Sequence, residues 1–108
     1  HITGGGIYEN LERIIPSGMC ALIDCPKFII PERFVWLKEL ANIKKKEMLK
    51  TFNCGIGLII VINHKNNKTV INYLRKNKIK THVIGEVLSK KSFKDKVSIK
   101  NFGKWDLT

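Results

Sequence analysis

Thr51-Phe52-Asn53-Cys54-Gly55-Ile56-Gly57-Leu58-Ile59-Ile60-Val61-Ile62 is the stretch on which the reading of the fold turns. Its second half, Leu58 to Ile62, is a continuous apolar run, which predicts a central strand covered on both faces. Gly55 and Gly57 lie two apart, hence on one face of an extended chain. They leave a smooth strip that either receives a closely packed helix or lets a ligand lie against the backbone. Asn53 stands at the strand edge, able to donate and to accept.

Working outward toward the C-terminus, Asn63 to Lys68 reads as a polar turn. Val70, Ile71, Tyr73 and Leu74 then recur as a helix that ends around Asn77-Lys78. Thr81 to Leu88 predicts another strand, with Gly85 breaking its side-chain pattern. Lys90 to Lys96 is a charged turn, Val97 to Phe102 an edge strand guarded by lysines, and the chain frays beyond Gly103. Toward the N-terminus, Lys45 to Thr51 predicts a short helix with Met48 and Leu49 inward. Before it, Phe34, Leu37, Leu40 and Ala41 form one helical stripe with Val35 and Trp36 beside it, and Pro31 suits that helix's first turn. Pro26 and Pro31 bracket a linker, and Met19 to Cys25 is a short apolar strand. Ile7, Leu11, Ile14 and Ile15 mark a helix that Pro16-Ser17-Gly18 stops. Ile2 to Gly6 is a loop, because three successive glycines hold neither helix nor strand cheaply. Strands and helices alternating at this length predict an α/β domain with a mixed (α+β) sheet, a two-layer sandwich with helices packed on the sheet.

The 108 residues make one domain, and 44% hydrophobic with 27% charged residues is globular composition. No apolar run approaches the 18 or so residues that a membrane-spanning helix needs. The opening residues lack an initiator Met, a basic region and an apolar core, so no signal peptide is expected; the start reads as the cut edge of something longer. Twenty bases against nine acids leave a net charge of +11. Most of it lies late: residues 1–62 carry eight bases and six acids, residues 63–108 twelve and three. Such a basic half raises nucleic acid as a partner. Only three of the bases are Arg, however, the side chain that phosphate and base-edge forks favour. Lysine alongside abundant Ile and Asn reads as solvated compositional bias. Cys20, Cys25 and Cys54 form no C-x-x-C pair, and the histidines are scattered. Reduced thiols are expected, with no structural metal.

Two places use glycine in ways a core does not require. Gly4-Gly5-Gly6 stands directly before a helix, where glycines permit close backbone approach and the helix start offers unpaired N–H groups. His1 and Thr3 flank that loop with an imidazole and a hydroxyl. The pattern is neither the P-loop nor the dinucleotide fingerprint. The second place is the Asn53, Gly55 and Gly57 segment already described. From the residues alone, these add up to half of an anion-binding site on an α/β domain.

The same residues carry a family resemblance. His1-Ile2-Thr3-Gly4-Gly5-Gly6 with Asn10-Leu11, Arg13 and Pro16 is similar to the opening of the C-terminal domain of the phosphoribosylformylglycinamidine cyclo-ligases, or AIR synthetases. The similarity continues through Pro31, Phe34-Val35-Trp36-Leu37, Glu47-Met48 and Thr51 to Gly57, then Val83-Ile84-Gly85-Glu86-Val87. It covers residues 1 to about 88 in order; residues 89–108 form an unrecognised tail. Departures are small: Lys50 replaces the usual Arg, Leu58 the usual Met, and Phe28 a common Trp. A lysine supplies a point charge where an arginine would supply a bidentate fork.

The resemblance implies an AIR synthetase C-terminal-domain-like fold and an ATP-dependent ligase of purine biosynthesis. It implies that ATP and Mg²⁺ activate the formyl amide oxygen of formylglycinamidine ribonucleotide, and that an internal nitrogen then closes the imidazole ring. ATP and Mg²⁺ would be bound mainly by an N-terminal domain absent from this sequence, so the isolated domain is expected to be inactive. A cytoplasmic homodimer that binds neither nucleic acid nor membrane follows for the full-length enzyme. His1 is the catalytic candidate. Thr3, Gly4, Gly5, Gly6, Asn53, Gly55 and Gly57 are the candidates for substrate or phosphate binding, and no metal ligand is assigned. Two other readings stand beside this one: a basic nucleic-acid-binding module using Lys65 to Lys104, and a superfamily paralogue acting on another substrate.

Overall fold

The computed structural model describes residues 1–24, 30–89 and 95–100. Helix α1 spans Gly6–Glu12 and buries Ile7 and Leu11, four apart and so on one face. Strand β1, Met19–Asp24, follows the turn at Pro16 to Gly18. Helix α2 spans Glu32–Ala41, and helix α3 spans Lys45–Thr51. A 3₁₀ turn at His64–Asn66 leads into helix α4, Asn67–Lys76. Strands β2, Gly85–Ser89, and β3, Val97–Lys100, complete the elements.

The sheet order is β2-β1-β3, with β1 antiparallel to β2 and parallel to β3. It is a mixed sheet, so the α+β architecture expected from the alternation is present. Ala21, Ile23, Val97 and Ile99 line the face that meets Ile7, Leu11, Met48 and Leu49. Cys20 and Ala21 point to opposite sides of β1, yet both are buried. The centre strand covered on both faces is therefore β1.

That finding corrects the reading of Leu58 to Ile62, which form no strand. Leu58, Ile60, Val61 and Ile62 are exposed, Leu58 at 63%. Apolarity alone does not place a strand. Backbone N–H and C=O groups need an adjacent edge, and β2 and β3 already occupy both edges of β1. Residues 58–84 instead meet the core only through partly buried side chains such as Ile59 and Ile84, and the Ile84 carbonyl accepts from the Asp24 N–H at 2.8 Å. Between them and α1–β1 runs a groove of about 1800 Å³, lined by Ile14, Ile15 and Met19 on one side and by Ile60, Ile71 and Val83 on the other. Helix α4 forms where its periodicity predicts, but none of its residues is buried.

Smaller corrections follow the same logic. In α2 the buried residue is Val35, while Leu40 and Trp36 are exposed, so the inward face is rotated from the expected stripe. Pro31 sits one residue earlier than expected, as the N-cap. Ile14 is exposed while Ile15 is buried. The Thr81 to Leu88 strand is paired only from Gly85 onward, where a Cβ on Gly85 would overlap the Leu22 carbonyl and lie 3.0 Å from Ile23 Cα. β3 takes the edge position expected of it, and Met48 and Leu49 point inward with no exposure. Cys25, Pro26, Phe28, the Lys90 to Lys94 part of the charged turn and the tail from Asn101 lie outside the described residues.

Candidate functional site

The two glycine-bearing motifs, fifty residues apart in sequence, meet. The Ile2 N–H donates to the Gly57 carbonyl at 2.8 Å, and Ile2 is buried in the core. Beside this bond lies a cleft of about 380 Å³. Ile2, Thr3 and Gly4 line it from the first motif, Thr51, Phe52 and Asn53 from the second, and Phe34 from α2. The Phe34 and Phe52 rings are 6.2 Å apart and tilted by 50°, a favourable aromatic geometry.

The three glycines of the first motif do three different things. Gly6, at φ +63°, is the first residue of α1 and is buried. A Cβ there would overlap the Leu49 carbonyl and come within 2.8 Å of the Phe52 carbonyl oxygen. Gly6 thus lets α1 start directly against the C-terminal end of α3. Gly5, at φ +93°, caps α1 in a left-handed conformation that residues with a side chain rarely adopt. Gly4 has open space around it, with nothing within 4 Å of a Cβ.

Asn10 holds the loop in this shape. Its Nδ2 donates to the carbonyls of Gly6 at 2.8 Å and of Thr3 and Gly4 at 3.2 Å, and its Oδ1 accepts from the Thr3 hydroxyl at 3.2 Å. The residue-level reading gave Asn10 no role. The available signal was an amide one turn into a helix whose cap is a glycine with nothing to offer as a side chain.

Electrostatics temper the anion-site expectation. The Glu9 side chain lies against Gly5, and its carboxylate pairs with Arg13 at 2.7 Å, both groups being exposed. A seven-residue helix has a small dipole, and that carboxylate already sits at its positive end. Any anion held here relies on backbone N–H groups of the loop.

The second motif is a turn, which corrects the picture of a glycine strip along a strand. Cys54 at φ +51° and Gly55 at φ +99° are its two central residues, closed by Ile56 N–H donating to the Asn53 carbonyl at 3.0 Å. Asn53 Oδ1 accepts from the Gly55 N–H at 2.9 Å. Gly55 therefore serves the turn and Gly57 serves the bond to Ile2. Cys54 is fully buried, its Sγ 3.5 Å from the Met48 carbonyl oxygen, and anchors the turn to α3. Neither Cys20 nor Cys54 is in a disulfide. Lys50 pairs with Glu47 at 3.8 Å on α3, next to Thr51.

His1 is exposed and lies outside the cleft lining, one residue before Ile2. The structure thus brings Thr3, Gly4 and Asn53 into the cleft and Gly5, Gly6, Gly55 and Gly57 into its frame. Among the described residues no three of His, Cys, Asp or Glu converge as a metal site. No helix among them is long and apolar enough to cross a membrane.

Comparison with known proteins adds an independent line. Residues 1–98 match the family model described as AIR synthase related protein, C-terminal domain. The bifunctional purine biosynthetic protein ADE1 of Schizosaccharomyces pombe is 34% identical over 106 residues, which is 98% of this chain and 14% of that protein. The trifunctional purine biosynthetic protein adenosine-3 of Homo sapiens is 33% identical over 101 residues, 94% of this chain and 10% of that protein. The chain spans about a seventh and a tenth of these relatives.

Proposed function

The chain belongs to the AIR synthase related protein C-terminal domain family, and from that premise we propose that it is the C-terminal domain of a phosphoribosylformylglycinamidine cyclo-ligase of de novo purine biosynthesis. The observation that carries the reading is the junction of its two motifs: the Ile2–Gly57 bond places Thr3 and Asn53 on one cleft. The purine biosynthetic role named for both relatives supports the same reading.

In the proposed reaction the formyl oxygen of formylglycinamidine ribonucleotide is phosphorylated by ATP. An internal nitrogen then attacks the formyl carbon, the C–O bond breaks, and ADP and phosphate leave with the imidazole ring closed. The nucleotide and its Mg²⁺ are assigned to a separate N-terminal domain, in a cytoplasmic homodimer. The residues of this chain bind and orient the substrate. Bare backbone at Gly4 lets it approach closely, and Thr3 and Asn53 contact its polar groups. His1, next to the buried Ile2, is assigned to hydrogen-bond or shuttle a proton at the reacting amide.

His1→Ala in the full-length protein tests that assignment. Turnover in a ring-closure assay is expected to fall by roughly 10²–10⁴-fold, the usual range for an acid–base group. Near wild-type turnover would leave His1 a positioning role only. Absence of ring closure by the wild-type full-length protein would overturn the function itself.

A further inference from the structure

Two side-chain amides decide which hydrogen-bonding groups the cleft offers. Three carbonyls surround one end of Asn10, and carbonyls only accept, so that end is Nδ2. Its Oδ1 therefore faces Thr3, and the Thr3 hydroxyl must donate to it. Thr3 Oγ1 is left with lone pairs alone to offer the cleft. Asn53 is fixed the opposite way: the Gly55 N–H donates to its Oδ1, and its Nδ2 makes no hydrogen bond with the described residues. Thr51, also in the lining, has a rotatable hydroxyl and imposes no polarity. None of the described residues lining the cleft is charged.

We propose that Thr3 and Asn53 form a fixed acceptor–donor pair that selects an uncharged amide group of the ligand, and that Asn10 is the positioning residue that sets this polarity. The ligand N–H donates to Thr3 Oγ1, and the ligand carbonyl accepts from Asn53 Nδ2. A carboxylate or a fully ionised phosphate has no hydrogen for Thr3 and would set its lone pairs against those of Oγ1, so this pair disfavours such anions. The inference rests on the cleft being the substrate site, as read above. It adds which atoms read which part of the substrate.

The test measures binding of N-methylformamide and of formate, an amide and a related anion, to the full-length protein by NMR titration. Wild type is expected to prefer the amide. Asn53→Asp keeps an acceptor for the Gly55 N–H, hence the turn, but replaces the free-facing donor with an acceptor. It should weaken the amide on the order of tenfold, as should Thr3→Val, while Thr3→Ser restores binding to within about twofold. Asn10→Ala releases the Thr3 proton, so the formate-to-amide affinity ratio should rise about fivefold, a change that mere loosening of the loop would not produce. Preference of wild type for formate, no weakening of the amide by Asn53→Asp, or equal weakening of both probes by Asn10→Ala, would overturn the proposal. These titrations are independent of ring closure. A protein that shows the selectivity but closes no ring overturns the function alone, and one that closes the ring with unaltered selectivity across the variants overturns the polarity alone.

Discussion

The junction of residues 1–12 with residues 48–57 and the stretch from Leu58 to Ile84 are both rich in aliphatic residues, yet they end in opposite environments. In the junction, Ile2, Ile7, Leu11, Met48, Leu49 and Cys54 are all buried. In the stretch, Leu58, Ile60, Val61, Ile62, Tyr73, Ile79 and Val83 are exposed. The difference lies in what pins the backbone. The junction is held by Ile2 to Gly57, by the Asn10 fan and by a glycine that admits helix against helix. No sheet ladder holds residues 58–84. Residues 56–84 also carry six bases and no acid, which keeps that side well solvated. Apolar character supplies the drive for burial, and a specific backbone contact decides which segment achieves it.

The sharpest test of this contrast is at the glycines. Gly6→Val puts a branched side chain against two carbonyls at a positive φ, and chemical denaturation should show a loss of at least about 3 kcal/mol or no folded state. Gly4→Val, in open space, should change stability by only about 0.5 kcal/mol, with Gly4 remaining a position where bulk affects ligand approach. A Gly6 variant of near wild-type stability would mean that α1 and α3 are not packed as described. Next in size, Leu49→Ala should cost about 2–5 kcal/mol, whereas Ile60→Ala should stay within about 0.5 kcal/mol. Equal losses at the two positions would erase the distinction between the regions and show that Ile60 is packed in solution. The smallest effect is expected at the exposed Glu9–Arg13 pair, where Arg13→Ala should cost no more than about 0.5 kcal/mol and less still at high salt. A larger loss would indicate that Arg13 supports the loop through Glu9.

Much of the fold was legible because it is local. Helical spacing located α1, α3 and α4, with Met48 and Leu49 correctly inward. Proline and glycine placed the breaks around them, and the glycine motifs that contain Thr3, Gly4 and Asn53 stand out in the sequence. Less legible were the roles inside the motifs. Gly4, Gly5 and Gly6 look alike in sequence but differ in φ and in what surrounds them. Asn10 contacts the loop through a helix turn, which no spacing rule singles out. Gly55 and Gly57, read as one strip, divide between a turn and a backbone bond.

By itself, then, the sequence determined which segments are helical and that strands alternate with them, since both follow from short-range periodicity and turn chemistry. Tertiary structure alone decided that β1 and not Leu58 to Ile62 is the central strand, and that Val35 rather than Leu40 faces inward from α2. It also decided that the two motifs share a cleft. Strand pairing and helix docking are contests between distant segments for the same backbone edges and the same core volume, and the winner is set by the contacts of the whole fold.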